Sequence, residues 1–160
     1  MQANTEYKRP SDSQLKESLD PHSYGVLVDG ATEPQYSSKY VDVEGDGIYV
    51  DIATGEPLFT TFDQYNAGCG WPSFTAPITG TCVLTREDKS HGMMRTEVRS
   101  AAGDFHLGHV FDDGPPERGG LRYCINGAAM RFIPMENMEV EGYSYLFPYM
   151  EEKRREHNKP

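Results

Sequence analysis

Turn-forming residues punctuate this chain so often that few segments can run long. Its 160 residues include 16 glycines and 11 prolines, many of them clustered: Thr54-Gly55-Glu56-Pro57, Ala101-Ala102-Gly103 and Asp112-Asp113-Gly114-Pro115-Pro116-Glu117-Arg118-Gly119-Gly120. Proline fixes φ and lacks an N–H, and glycine enters positive-φ turns freely, so such clusters end helices and strands alike. Between them lie short runs: Gly47 to Ile52, Leu58 to Phe62, Cys82 to Thr85, Met94 to Arg99, His106 to Phe111, Arg122 to Asn126 and Ala129 to Ile133. Apolar-polar alternation in such runs reads as half-buried strand, and no βαβ rhythm connects them. The expected fold is mainly β: two antiparallel β-sheets, sandwich- or barrel-like, with short N-terminal helices. The first helix opens on the capping box Ser11-Asp12-Ser13-Gln14 and runs to Leu19; Pro21 starts a second. Gly30 to Tyr40 reads as loop, Arg86 to Ser90 as a charged connection, and Pro134 to Tyr149 as a small helix or extended arm.

The length suits one domain. Residues 1–10 are expected to be disordered, 11–150 to form the domain, and 151–160 to be a polar tail, frayed or unstructured. A formal net charge of −10 argues against nucleic acid and anionic membrane as partners. Three cysteines do not make a disulfide framework. No basic n-region with a following apolar run is visible at Met1 to Glu6, and no stretch reaches membrane-spanning length. A cytoplasmic, reducing setting is expected, where paired thiols are catalytic or metal-binding.

In Arg122-Tyr123-Cys124-Ile125-Asn126, alternation puts Arg122, Cys124 and Asn126 on one strand face. A core face rarely holds Arg and Asn beside Cys, and a nearby cation favours thiolate. Cys69 sits in Gly68-Cys69-Gly70-Trp71-Pro72-Ser73-Phe74, where the glycines imply a mobile backbone. One thiol on a stiff strand and one on a pliant loop is a layout for two-step redox chemistry. Trp71, the only tryptophan, is placed to hold an apolar or sulfur-bearing group. His106 and His109 are three apart, so a regular strand would point them to opposite faces; a bulge at Gly108 would re-aim one. Either can move protons near neutrality, and a metal site built on the pair is an alternative reading. His91 caps or orients a turn, Asp113 is a turn residue or orients a histidine, and Cys82 reads as an inert strand cysteine that would matter only if it lay near the others.

The segments Gly68 to Phe74, Ser90-His91-Gly92-Met93, His106 to Pro115 and Arg122 to Asn126, in that order, resemble the type B methionine sulfoxide reductases. The similarity runs from about Leu15 to Tyr149. It implies reduction of the R epimer of methionine sulfoxide, free or in proteins, with two antiparallel sheets as the fold. Carried over by position, Cys124 is the nucleophile that becomes a sulfenic acid. Cys69 closes a disulfide with it, and thioredoxin, a dithiol donor, reopens the bridge. Trp71 would hold the substrate methyl, with His91 and Phe111 also at the substrate, and His106, His109, Asp113, Arg122 and Asn126 would line the pocket. Many members hold zinc through two CxxC pairs. Here those positions are Asp51, Thr54, Ser100 and Gly103, so no metal and no other cofactor is expected. A non-catalytic peptide-binding module and a histidine-metal oxygenase are the rival classes.

Overall fold

A computed structural model of the chain describes residues 7–41 and 43–157. The expectation of disorder for residues 1–6, and the end of the tail at 158–160, lie outside the described residues. Two helices come first, α1 (Asp12–Ser18) and α2 (Pro21–Asp29). Ser11 caps α1 in the reciprocal capping box expected, and Asp20 caps α2 with Pro21 at its first turn. Gly30, at φ +73°, ends α2 in the left-handed conformation that glycine adopts without a Cβ clash.

Strands β1 (Gly47–Asp51), β2 (Pro57–Thr60), β3 (Gln64–Tyr65), β4 (Ser73–Phe74), β5 (Val83–Asp88), β6 (Arg95–Ser100), β7 (His106–Phe111), β8 (Arg122–Ile125) and β9 (Met130–Pro134) form two antiparallel sheets. One runs β2-β1-β9 and the other β3-β4-β8-β7-β6-β5. Helices α3 (Met135–Met138) and α4 (Phe147–His157) follow. The fold is therefore mainly β with a few short helices, as the turn spacing implied. The residues read as a charged connection after Thr85 instead continue β5 to Asp88. This strand is at the sheet edge with its middle residues exposed, so charge there guards the edge and does not signal a loop. β3 and β4 are two residues each, too short to leave a period.

Alternation along β1 explains the layering. Tyr49 joins a core with Phe59, Phe74, Leu107, Ile125 and Met130, while Ile48 and Val50 face a second cluster with Ile133, Met138, Leu146 and Met150. Phe59 and Phe74 stack between the sheets with ring centroids 4.4 Å apart. α2 packs Val26 and Leu27 into the first cluster and lies against β7. α3 and α4 close the second, so the residues expected to be an arm and a tail include a docked helix. Ahead of α1, Tyr7 Oη lies 2.8 Å from Tyr145 Oη, and Arg9 lies over the Phe105 ring. No helix among the described residues is long and apolar enough to cross a membrane.

Candidate active site

Register builds the site. β8 lies between β4 and β7, so Cys124 has Ser73 opposite it on one side and His109 on the other. Directly opposed residues share a face. The Cys69 loop leads into β4, and Cys69 Sγ comes to 3.6 Å from Cys124 Sγ and 3.3 Å from Ser73 Oγ. The 55 positions between the cysteines are thus closed by strand pairing.

A cavity of about 280 Å³ opens over this sulfur pair. Cys69, Cys124, Trp71, His109, Arg122 and Asn126 line it, with Phe111 beside them. Arg122 spans the rim: it donates through Nε and Nη2 to the two carboxylate oxygens of Asp113, at 2.8 and 3.1 Å, and covers the Phe111 ring at 4.4 Å. Asp113 itself is exposed and borders a second recess, lined also by Tyr65, Gly68, Cys69, Pro115 and Arg122. Cys69 therefore stands in a wall shared by two openings.

The histidines meet because β7 carries an extra residue. Arg99 pairs with His106 and Val98 with Gly108, so Leu107 is unpaired and the alternation slips by one. His106 and His109 consequently lie on one side, rings 5.5 Å apart and edge to face. They are not equivalent. His109 lines the cavity, and its Nε2 is 2.7 Å from Asp88 Oδ2. His106 is buried behind it, with Nδ1 2.6 Å from Glu97 Oε2 and, among the described residues, no partner for Nε2. Burial holds His106 below the usual histidine range, opposed by Glu97. The sequence placed His106 in the pocket lining; it stands one layer back because the bulge turns it toward Glu97. His91 does not join the cluster either. It sits exposed in the Ser90–Gly92 turn at φ +56°, outside the cavity lining.

Electrostatics at the sulfurs correct one expectation. Burial pushes the Cys124 thiol up to about 12, the neighbouring Cys69 sulfur adds to this, and Arg122 opposes both. For Cys69 burial is outweighed by hydrogen bonds with Ser73, Trp71 and Cys124, and its thiol is lowered. Arg122 does pull toward thiolate as its charge predicted, but desolvation wins. Cys82 lies elsewhere, buried, its thiol directed at the carbonyls of Thr79 and Leu58.

Sequence reasoning missed the brace around this site. Glu33 is 2% exposed; its carboxylate accepts from Gly127 N and Ala128 N, and its own N–H donates to Asn126 Oδ1, each at 2.9 Å. Trp71 Nε1 donates to Glu33 O, Gln35 Nε2 to Cys69 O, and Tyr36 N to Gly70 O. Gly70, at φ +89°, permits this close approach, since a Cβ there would press on Gln35 and Tyr36, and Gly68, at φ +73°, only turns the chain; the loop expected to be loose is pinned to residues 33–36. Nothing in Thr32-Glu33-Pro34 marks it in sequence, and Asp88 and Glu97 read only as charge on exposed strands.

The residues standing where zinc thiolates occur in other chains also converge. Thr54 N donates to Asp51 Oδ1, the Ser100 hydroxyl stands close enough to favour the Asp51 carboxylate, and a Cβ on Gly103 would touch Thr54. One carboxylate with no thiolate or imidazole is a poor zinc donor set, so the group does not fit. Among the described residues no cluster of three or more His, Cys, Asp or Glu is arranged to hold a metal ion.

Against known families, the model described as the SelR domain matches residues 19–134, well over half of the chain. That span holds both sulfurs, Trp71, the two histidines and the Glu33 brace.

Proposed function

The chain belongs to the SelR domain family, the thiol-dependent peptide-methionine (R)-S-oxide reductases, and from that membership we propose how its residues divide the work. The Cys124 thiolate attacks the sulfoxide sulfur while Trp71 holds the methyl group. The sulfoxide oxygen takes a proton from His109 and passes to sulfur, so thiolate, sulfoxide and proton become sulfenic acid and methionine. The substrate sulfur gains two electrons and Cys124 loses two. The Cys69 thiol then displaces water from Cys124-SOH, giving a disulfide. A dithiol donor, thioredoxin by family resemblance, exchanges with that bridge and leaves two thiols.

The observation that carries this reading is the 3.6 Å separation of the two sulfurs at the floor of a cavity that also holds Trp71 and His109. A bond of about 2.05 Å needs only a short approach. Cys69 also borders the second recess, which supports attack on it by a donor that never enters the substrate cavity. No zinc or other cofactor takes part, and a reducing cytosol fits the chemistry. A non-catalytic peptide binder has no use for paired sulfurs of this kind, and an oxygenase would need a metal that His106 and His109 are not arranged to share.

The test is an assay with separated epimers. The wild-type enzyme should reduce the R sulfoxide and leave the S epimer untouched. Cys124→Ser should lose the activity. Cys69→Ser should release about one methionine per chain and then stop cycling with thioredoxin; undiminished cycling would remove Cys69 from the scheme.

A further inference from the structure

His109 is gripped from behind by a carboxylate that stands outside the cavity. Asp88 Oδ2 is 2.7 Å from Nε2, and Asp88 Oδ1 accepts from Ser90 N at 2.9 Å. Asp88 closes β5 opposite Arg95 of β6, whose Nη2 lies 3.7 Å from the same Oδ2. The carboxylate reaches across β6 to β7, held by the tight Ser90–Gly92 turn on one side and Arg95 on the other. The cavity lining includes His109 and Arg95 but not Asp88. With Nε2 committed to Asp88, Nδ1 is the ring nitrogen left for a ligand.

We propose that Asp88 is a positioning residue for the reduction: it fixes His109 with Nε2–H held and Nδ1 turned to the sulfoxide oxygen, and it stabilises the imidazolium that gives up the Nδ1 proton. This rests on the reductase reading of the same site. In the step, the Nδ1–H bond breaks as an O–H bond forms on the oxygen leaving the methionine sulfur, and solvent returns the proton to the ring. A fixed carboxylate behind an imidazole sets both its tautomer and its proton affinity. The hydrogen bond from His109 holds Asp88 well below the usual carboxylate range, with Ser90 adding to it, so the partner stays anionic wherever the enzyme works. The other charged or titratable groups around His109 are Arg95 from β6, His106 from β7 backed by Glu97, Cys124 and Arg122 from β8, and Cys69 from its loop. None of these is hydrogen-bonded to the ring; among the described residues Asp88 is.

The experiment is single-turnover methionine release as a function of pH in wild type, Asp88→Asn and Asp88→Glu. Asp88→Asn takes away the partner of the proton-donating ring, so the shape of the alkaline limb of the profile should change. The rate on the plateau should fall roughly 100-fold, the lower end of what a positioned acid supplies. Asp88→Glu should recover much of both. A loss of rate equal at every pH, with no recovery in Asp88→Glu, would make Asp88 merely structural and overturn the proposal, as would an unchanged profile. The imidazole nitrogen-15 signals of His109 give a readout independent of turnover. They should report the Nε2–H tautomer in wild type and a mixture in Asp88→Asn; an Nδ1–H tautomer in wild type would defeat the assignment. A protein inert toward the R epimer but with the Nε2–H signature would overturn the reductase reading while the ring contact stands.

Discussion

At the residue scale, two sulfurs 3.6 Å apart contest one negative charge. Burial and the Cys69 sulfur keep the Cys124 proton on, up to about 12, while Cys69 is lowered. The two thiols therefore titrate as a coupled pair, in which the Cys69 sulfur resists ionisation of Cys124. Alkylation of Cys124 in wild type should keep accelerating well above neutral pH, because the ionised fraction is still growing. Replacing Cys69 by Ser removes the second sulfur and should lower the midpoint by about one unit. Burial remains, so it should not fall to that of an exposed cysteine. Peptide mapping of the alkylated protein over a pH series reads this, and a midpoint that stays put or rises would contradict it. The two thiols that meet in the site drew attention in the sequence because Arg, Cys and Asn on one strand face have few structural uses. Asp88 and Glu33 did not, since one acidic residue in an exposed run or a loop looks like any other until the fold shows what it touches.

At the element scale, the site depends on how closely β7 and β8 approach. A Cβ on Gly108 would lie 2.1 Å from the Cys124 carbonyl oxygen and 3.0 Å from Ile125 Cα, both backbone atoms that cannot swing aside. Gly108→Ala should therefore part the two strands where His109 faces Cys124. The expected cost is about 1–3 kcal/mol in stability, as for other overpacked interiors. Methionine release should drop disproportionately more than stability does, as followed by denaturant melts beside single-turnover assays. An alanine variant with wild-type rate would show that the strands tolerate a wider gap. The odd spacing of His106 and His109 around Gly108 was enough to raise a bulge, and the extra residue in β7 is that bulge. Strand boundaries were readable where side chains alternate against the core, as in β1 and β6. They were lost at β5, where both faces of the outer residues meet water, and at β3 and β4, which pair for only two residues.

At the scale of the whole molecule, Asp51 draws together the turns after β1 and β6. Asp51 is 1% exposed, its Oδ1 accepts from Ala53 N and Thr54 N, and its Oδ2 has no hydrogen-bond partner among the described residues. Burial raises its carboxyl above the usual value of 3.8. Between the unfolded and folded values the native state binds more protons, so this group's contribution to stability declines as pH rises. Asp51→Asn cannot ionise. The stability of wild type minus that of the variant should shrink as pH rises above about 4, by about 1.4 kcal/mol for each unit of elevation. Equilibrium melts across that range would show it, and a constant difference would count against a raised carboxyl. The same protein, purified without chelator, should carry no stoichiometric zinc by elemental analysis and should melt alike with and without chelator. The sheet pair and the N-terminal helices were legible because they rest on local pattern. The bracing of Trp71 by Glu33 and the convergence of Asp51 with Ser100 were not, because they join residues far apart in the chain. Finally, Cys69 stands in the partition between two openings. On the recycling scheme proposed above, a spent sulfur that can be approached from a separate doorway spares the first chamber from being emptied before recharging, so released methionine and the arriving reductant need not queue for one entrance.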